Sequence, residues 1–106
     1  PDNLTELWNG TNWTEVNNLN TARSQAGGSG TTTAGLAFGG STGSNSAVTE
    51  SWNGTNWTNE NNLNVTATNA QGTGTQTLAL AVLNTGATEE WDGTGFITKT
   101  ITTTTD

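Results

Sequence analysis

The sequence predicts an all-β fold, and three observations carry that expectation. The phrase Thr-Glu-x-Trp-Asn/Asp-Gly-Thr-x-aromatic occurs three times, at residues 5–13, 49–57 and 88–96. Each copy sets two aromatics five positions apart around an Asn-Gly or Asp-Gly pair: Trp8 and Trp13, Trp52 and Trp57, Trp91 and Phe96. Asn, Asp and Gly tolerate the dihedrals of the tightest hairpin turns, so each phrase reads as strand, turn, strand, with a ring on each arm. Finally, no stretch of useful length shows the 3.6-residue period of an amphipathic helix.

The copies are spaced 44 residues apart from Trp8 to Trp52 and 39 from Trp52 to Trp91. Periods of this size belong to propellers and solenoids. Residues 1–4 are a lead-in, and residues 1–16 form the outer hairpin of an incomplete unit. A first full unit spans 17–60 and a second, diverged one spans 61–106.

The first full unit opens on Asn17-Asn18-Leu19-Asn20, a polar loop with one apolar anchor, repeated as Asn61-Asn62-Leu63-Asn64. Residues 21–30 are rich in Gly, Ala and Ser, which in a strand signals close approach of another backbone. Leu36-Ala37-Phe38 is an apolar strand ended by Gly39-Gly40, and residues 41–46 are a turn. In the second unit Leu80-Ala81-Val82 takes the place of Leu36-Ala37-Phe38, and Leu83-Asn84 replaces the glycine pair. Five loop residues are missing before the third hairpin, which accounts for the shorter spacing. The run at 78–83 suits a buried strand. Past Phe96, β-branched residues in near alternation predict an extended strand with Ile97 and Ile101 on one face.

Composition narrows the function. Of 106 residues 29% are hydrophobic and 10% charged, and the net charge is −7 with only Arg23 and Lys99 basic. Such a chain lacks the basic face that neutralises phosphates, which excludes nucleic-acid binding, and it lacks a polybasic membrane contact. No apolar run approaches the roughly 20 residues of a membrane-spanning helix. Periodic Trp residues argue against disorder, which low hydrophobicity alone would suggest. With no Cys there are no disulfide staples, so a chain this short relies on repeat stacking or on partner chains. The start at Pro1 rather than Met is what a processed or truncated piece would show.

The order of these elements resembles the kelch repeat. Its second strand ends in a glycine pair, matched by Phe38-Gly39-Gly40. Its third carries an aromatic before a turn and its fourth a Trp, matched by Trp52 and Trp57. A small-residue and Arg segment enters its first strand, matched by Thr21-Ala22-Arg23. The second unit lacks the glycine pair, the Arg and the second Trp. The resemblance implies kelch-like β-propeller blades of four antiparallel strands, about two and a half per chain, with the ring completed by oligomerisation or flanking sequence. Propellers close with roughly 4–8 blades, so two copies would supply about five. A β-sandwich or solenoid competes, but explains the paired aromatics less well. Thr/Asn-rich repeats of this kind also resemble those of bacterial and phage surface or tail-associated proteins.

The site candidates are the repeated residues. Trp8, Trp13, Trp52, Trp57 and Trp91 either pack between blades or stack on sugar rings. Glu6, Glu50 and Glu89 sit two residues before the first aromatic, hence on its face of the strand. Each either hydrogen-bonds a neighbouring blade or turn, or binds a cation or ligand. Arg23 completes the set. Asn9, Asn12, Asn53, Asn56 and Asn64 each begin an Asn-x-Thr triplet, a glycan acceptor only in a secreted eukaryotic context.

Catalysis is poorly supported. The chain has no His, Cys or Tyr, hence no imidazole base, no thiolate and none of the copper ligands that kelch-class oxidases use. Glu89 and Glu90 are adjacent in a strand and point to opposite faces, which makes them a poor pair for glycoside hydrolysis. No metal or cofactor is expected. The expected function is a non-catalytic module for binding or for surface or virion assembly, acting as a homo-oligomer in an extracellular or virion-associated setting. The alternatives are a lectin with blade-repeated sites and a carboxylate-based glycosidase.

Overall fold

A computed structural model of the chain describes residues 2–83 and 86–99. These residues are all-β, in three antiparallel sheets, none of which closes on itself. The first sheet is the hairpin β1 (Thr5–Trp8) and β2 (Trp13–Val16). The second has four strands in sequence order, β3 (Gly27–Gly30), β4 (Gly35–Phe38), β5 (Thr49–Trp52) and β6 (Trp57–Glu60). The third repeats that order with β7 (Gln71–Gly74), β8 (Ala79–Val82), β9 (Thr88–Trp91) and β10 (Phe96–Lys99).

The three copies of the repeated phrase fold as three like hairpins. Their aromatics pair directly across the strands, with ring centroids 5.3, 5.2 and 4.8 Å apart. Each turn is held by its own first residue. Asn9 Oδ1 accepts from the backbone N–H groups of Thr11 and Asn12, and Asn53 Oδ1 from those of Thr55 and Asn56, all at 2.8 Å. Asp92 Oδ1 accepts from Thr94 and Gly95 in the same way. The following glycine has φ of +97° at Gly10 and Gly54 and +95° at Gly93, a region that side chains with a Cβ avoid.

Alternation along the strands decides what each sheet face buries. Leu36 and Phe38 point from the second sheet into the third, where Ala79, Ala81, Trp91 and Phe96 complete the core. Phe38 meets Phe96 edge-on at 5.9 Å. The glycine-rich strands earn their composition at this interface. A Cβ at Gly72 would fall 2.5 Å from the Gly28 carbonyl oxygen and 2.5 Å from Phe38, so only glycine lets β7 lie this close to β3.

The two four-stranded sheets differ at one loop. Gly39 N–H donates to Val48 across the longer loop, and Leu83 N–H donates to Ala87 across the shorter one. The missing residues therefore fall in the β8–β9 connection, between elements that otherwise match.

The apolar run at 78–83 departs from the expected buried strand. Leu83, Ala81 and Ala79 are buried, yet Leu78 and Val82 are exposed. The cause is position, because Leu80 and Val82 lie on the outer face of the third sheet, which no further sheet among the described residues covers. Ile97 joins them on that face. Its expected companion, Ile101, lies outside the described residues.

Candidate functional site

The repeated side chains converge where a loop from one sheet crosses the hairpin of the next. Residues 17–23 leave β2 and cross the β5–β6 hairpin, and residues 61–67 leave β6 and cross β9–β10. Each crossing segment is clamped by two Asn side chains and one carboxylate. Asn17 Nδ2 donates to the Thr55 carbonyl at 2.7 Å and to Asn56 Oδ1 at 2.8 Å. Asn20 Nδ2 donates to the Trp57 carbonyl at 3.2 Å. In the next crossing Asn61 Nδ2 donates to the Thr94 carbonyl at 2.7 Å and Asn64 Nδ2 to the Phe96 carbonyl at 3.1 Å.

Glu50 and Glu89 hold the backbone of these segments. Glu50 Oε1 accepts from Asn20 N–H at 2.7 Å and Oε2 from Thr21 N–H at 3.2 Å. Glu89 accepts from Asn64 N–H at 2.7 Å and Val65 N–H at 3.3 Å. Both carboxylates are fully buried. Glu50 is also paired with the buried guanidinium of Arg23, whose Nη1 donates to the carbonyls of Gly39 and Val48. Ala67 stands at the position matching Arg23, so Glu89 makes its two backbone bonds without a cation.

The structure thus separates residues that look alike in sequence. Trp52 and Trp91 are buried, and their indole N–H groups donate to the carbonyls of Thr32 and Gln76 at 3.0 and 2.7 Å. Trp57 is half-buried and donates to Thr5 Oγ1 at 3.2 Å, tying the first hairpin to the second sheet. Trp8 and Trp13 are 46% and 63% exposed. Glu6 is exposed, and its side chain has no hydrogen-bond partner among the described residues. Glu89 and Glu90 do point to opposite faces of β9, and Glu90 pairs at the surface with Lys99 at 3.6 Å.

Beside the first hairpin lies an open groove of about 470 Å³. Leu7 and Thr5 from one face of β1, and Glu6 and Trp8 from the other, both line it, so it follows the free edge of that strand. Gly28, Gly35, Ala37, Trp52 and Trp57 form the far wall. Four Trp residues and two glycines make its lining largely apolar. The Asn clamps and the Gln76 amide, which donates to the carbonyls of Gly35 and Trp52, were not among the sequence candidates. The repeated Asn-Asn-Leu-Asn word was the available signal for the clamps.

Among the described residues no group of three or more His, Cys, Asp or Glu is placed to hold a metal ion. No helix there is long and apolar enough to cross a membrane. One carboxyl in a turn is shifted by its surroundings. The N–H groups of Gly95 and Thr94 hold the Asp92 carboxyl below its ordinary value. Neither a family model nor a curated protein matches this sequence.

Proposed function

We propose that the chain is a non-catalytic kelch-like β-propeller module that acts by binding or by building a surface or virion assembly, as a homo-oligomer outside the cytosol. One observation carries this reading. The two four-stranded sheets stack through close glycine-rich strands and a shared core, while among the described residues nothing covers the two outermost faces. Trp8 and Trp13 are bare at one end, and Val82 and Ile97 at the other. Exposed apolar faces of this kind mark association surfaces. The sheet that carries Leu36 and Phe38 meets the Trp91 and Phe96 face inside the chain, so the uncovered pair repeats a contact already made once. The native mass by light scattering tests the reading, with a multiple of 10.9 kDa expected. A monodisperse monomer that unfolds cooperatively would overturn it.

The groove beside β1 favours a second reading, a carbohydrate-binding lectin, because four of its wall residues are Trp. A glycan array separates the two, and no signal at high protein concentration rejects the lectin. A carboxylate-based glycosidase has less support, since Glu50 and Glu89 are occupied by backbone N–H groups and Glu6 stands alone. Turnover of aryl glycosides, lost on Glu→Gln substitution, would revive it.

A further inference from the structure

We infer that the β1–β2 hairpin is an acceptor for a polypeptide segment of the repeat's own type, an Asn-Asn-Leu-Asn stretch running into a glycine-rich strand and then an apolar one. This rests on the binding-and-assembly reading and names the partner class. The molecule shows the required contact twice. On β5–β6 and on β9–β10, a buried Glu accepts two consecutive backbone N–H groups of a crossing segment, while two Asn amides clasp the turn and the carbonyl of its last aromatic.

The β1–β2 hairpin presents the same acceptors empty. Glu6 holds the position of Glu50 and Glu89, and the Thr11 and Trp13 carbonyls hold those of Thr55 and Trp57. Its strand edge is open as well. β5 and β9 each pair with an inner strand, β4 and β8, whereas among the described residues β1 pairs with β2 alone. The 470 Å³ groove follows that free edge, between Leu7, Trp8 and Trp13 on one side and Gly28, Ala37 and Trp57 on the other. Crossing segment and inner strands are continuous in sequence in both complete sheets, so one occupant satisfies both features.

A second folded copy does not offer this segment. Its residues 17–23 are seated on its own Glu50, its residues 61–67 on its own Glu89, and its strands β3, β4, β7 and β8 are already paired. The described segments of copies that merely stack therefore do not fill the acceptor. A partner that also carries the Arg of the first unit gains a pairing with Glu6, as Arg23 has with Glu50.

The test adds a synthetic peptide with the sequence of residues 17–41 to the full chain. The peptide contains no Trp, so any change in Trp emission reports on the chain. Saturable one-to-one binding is expected, with a blue shift and with movement of the Trp8 and Trp13 indole N–H resonances. Glu6→Gln should weaken binding about tenfold, as should Asn→Ala at both clamp positions of the peptide, because each removes or weakens hydrogen bonds made to a carboxylate or to backbone carbonyls. Glu90→Gln should bind as the wild type. Should the long peptide aggregate, the soluble peptide of residues 17–26 still decides, read by the resonances of Glu6, Trp8 and Trp13. No saturation with either peptide, or equal affinity for Glu6→Gln, overturns the inference. An oligomer by native mass that takes up no peptide also overturns it while leaving the assembly reading standing.

Discussion

Three glutamates occupy one sequence position and three electrostatic situations. Glu50 is buried against Arg23 and two N–H groups, Glu89 is buried with two N–H groups alone, and Glu6 is exposed. The cost of Glu→Gln should follow that order. Glu50→Gln leaves a buried guanidinium without its counter-charge, a change of about 3–5 kcal/mol. Glu89→Gln weakens two charge-assisted bonds, for about 1–3 kcal/mol. Glu6→Gln at the surface should stay within about 0.5 kcal/mol. Urea unfolding of the three variants checks the ranking, and a costly Glu6→Gln would mean that this residue has a structural partner. Asp92 adds a pH dependence. Its carboxyl is held below 3.8 in the folded chain, so its contribution is present above that value and is lost as pH falls through the lowered one. Wild type should therefore lose stability relative to Asp92→Asn below about pH 3.8, since the amide accepts the same bonds without titrating. Parallel unfolding midpoints down to low pH would refute this.

At the scale of the element, the hairpins were legible because turn chemistry is local. Asn-Gly and Asp-Gly dictate a backbone that the adjoining strands then follow. What the strands bury was not legible. TELWNGTNW and TESWNGTNW are nearly the same phrase, yet Trp8 is half exposed and Trp52 is buried, because only the second has inner strands and a crossing segment beside it. The roles of Glu50 and Glu89 were hidden for a like reason. Their partners are backbone N–H groups 30 and 25 residues earlier, which no side-chain pattern advertises. Trp52→Ala or Trp91→Ala should cost about 3–5 kcal/mol, and Trp13→Ala under about 1 kcal/mol. The glycine strands give a sharper contrast. Gly72→Ala must push the β7 backbone away from β3, for about 1–3 kcal/mol or more. Gly95→Ala meets nothing nearer than 3.9 Å and should be close to neutral. Thermal unfolding separates the pair, and equal midpoints would deny the tight β3–β7 approach.

For the whole molecule, charge and shape act against each other. Each chain carries a net charge of −7, so copies repel at long range even where their faces match. That repulsion falls off over about 10 Å at 0.1 M salt. Association through the Trp8–Trp13 and Val82–Ile97 faces should therefore strengthen as salt is raised, measured as a rise in native mass. A mass that falls with salt would point instead to ion pairs between copies. All-β architecture was readable from periodicity. The uncovered ends were partly readable, because the count of hairpins exceeded the count of inner strand pairs.

The two uncovered ends are also unlike, aromatic at the first hairpin and aliphatic at the last sheet, and this gives the chain a polarity. A two-fold dimer sets like against like, so it could cover one kind of face only by leaving the other bare. Copies that bury both must meet head to tail, each presenting its last sheet to the next one's first hairpin. Such heterologous contacts have two outcomes, a ring if the rotation per copy divides a full turn and an open filament if it does not. Were copies to meet in this way, the angle between successive sheets would decide between the ring and the filament.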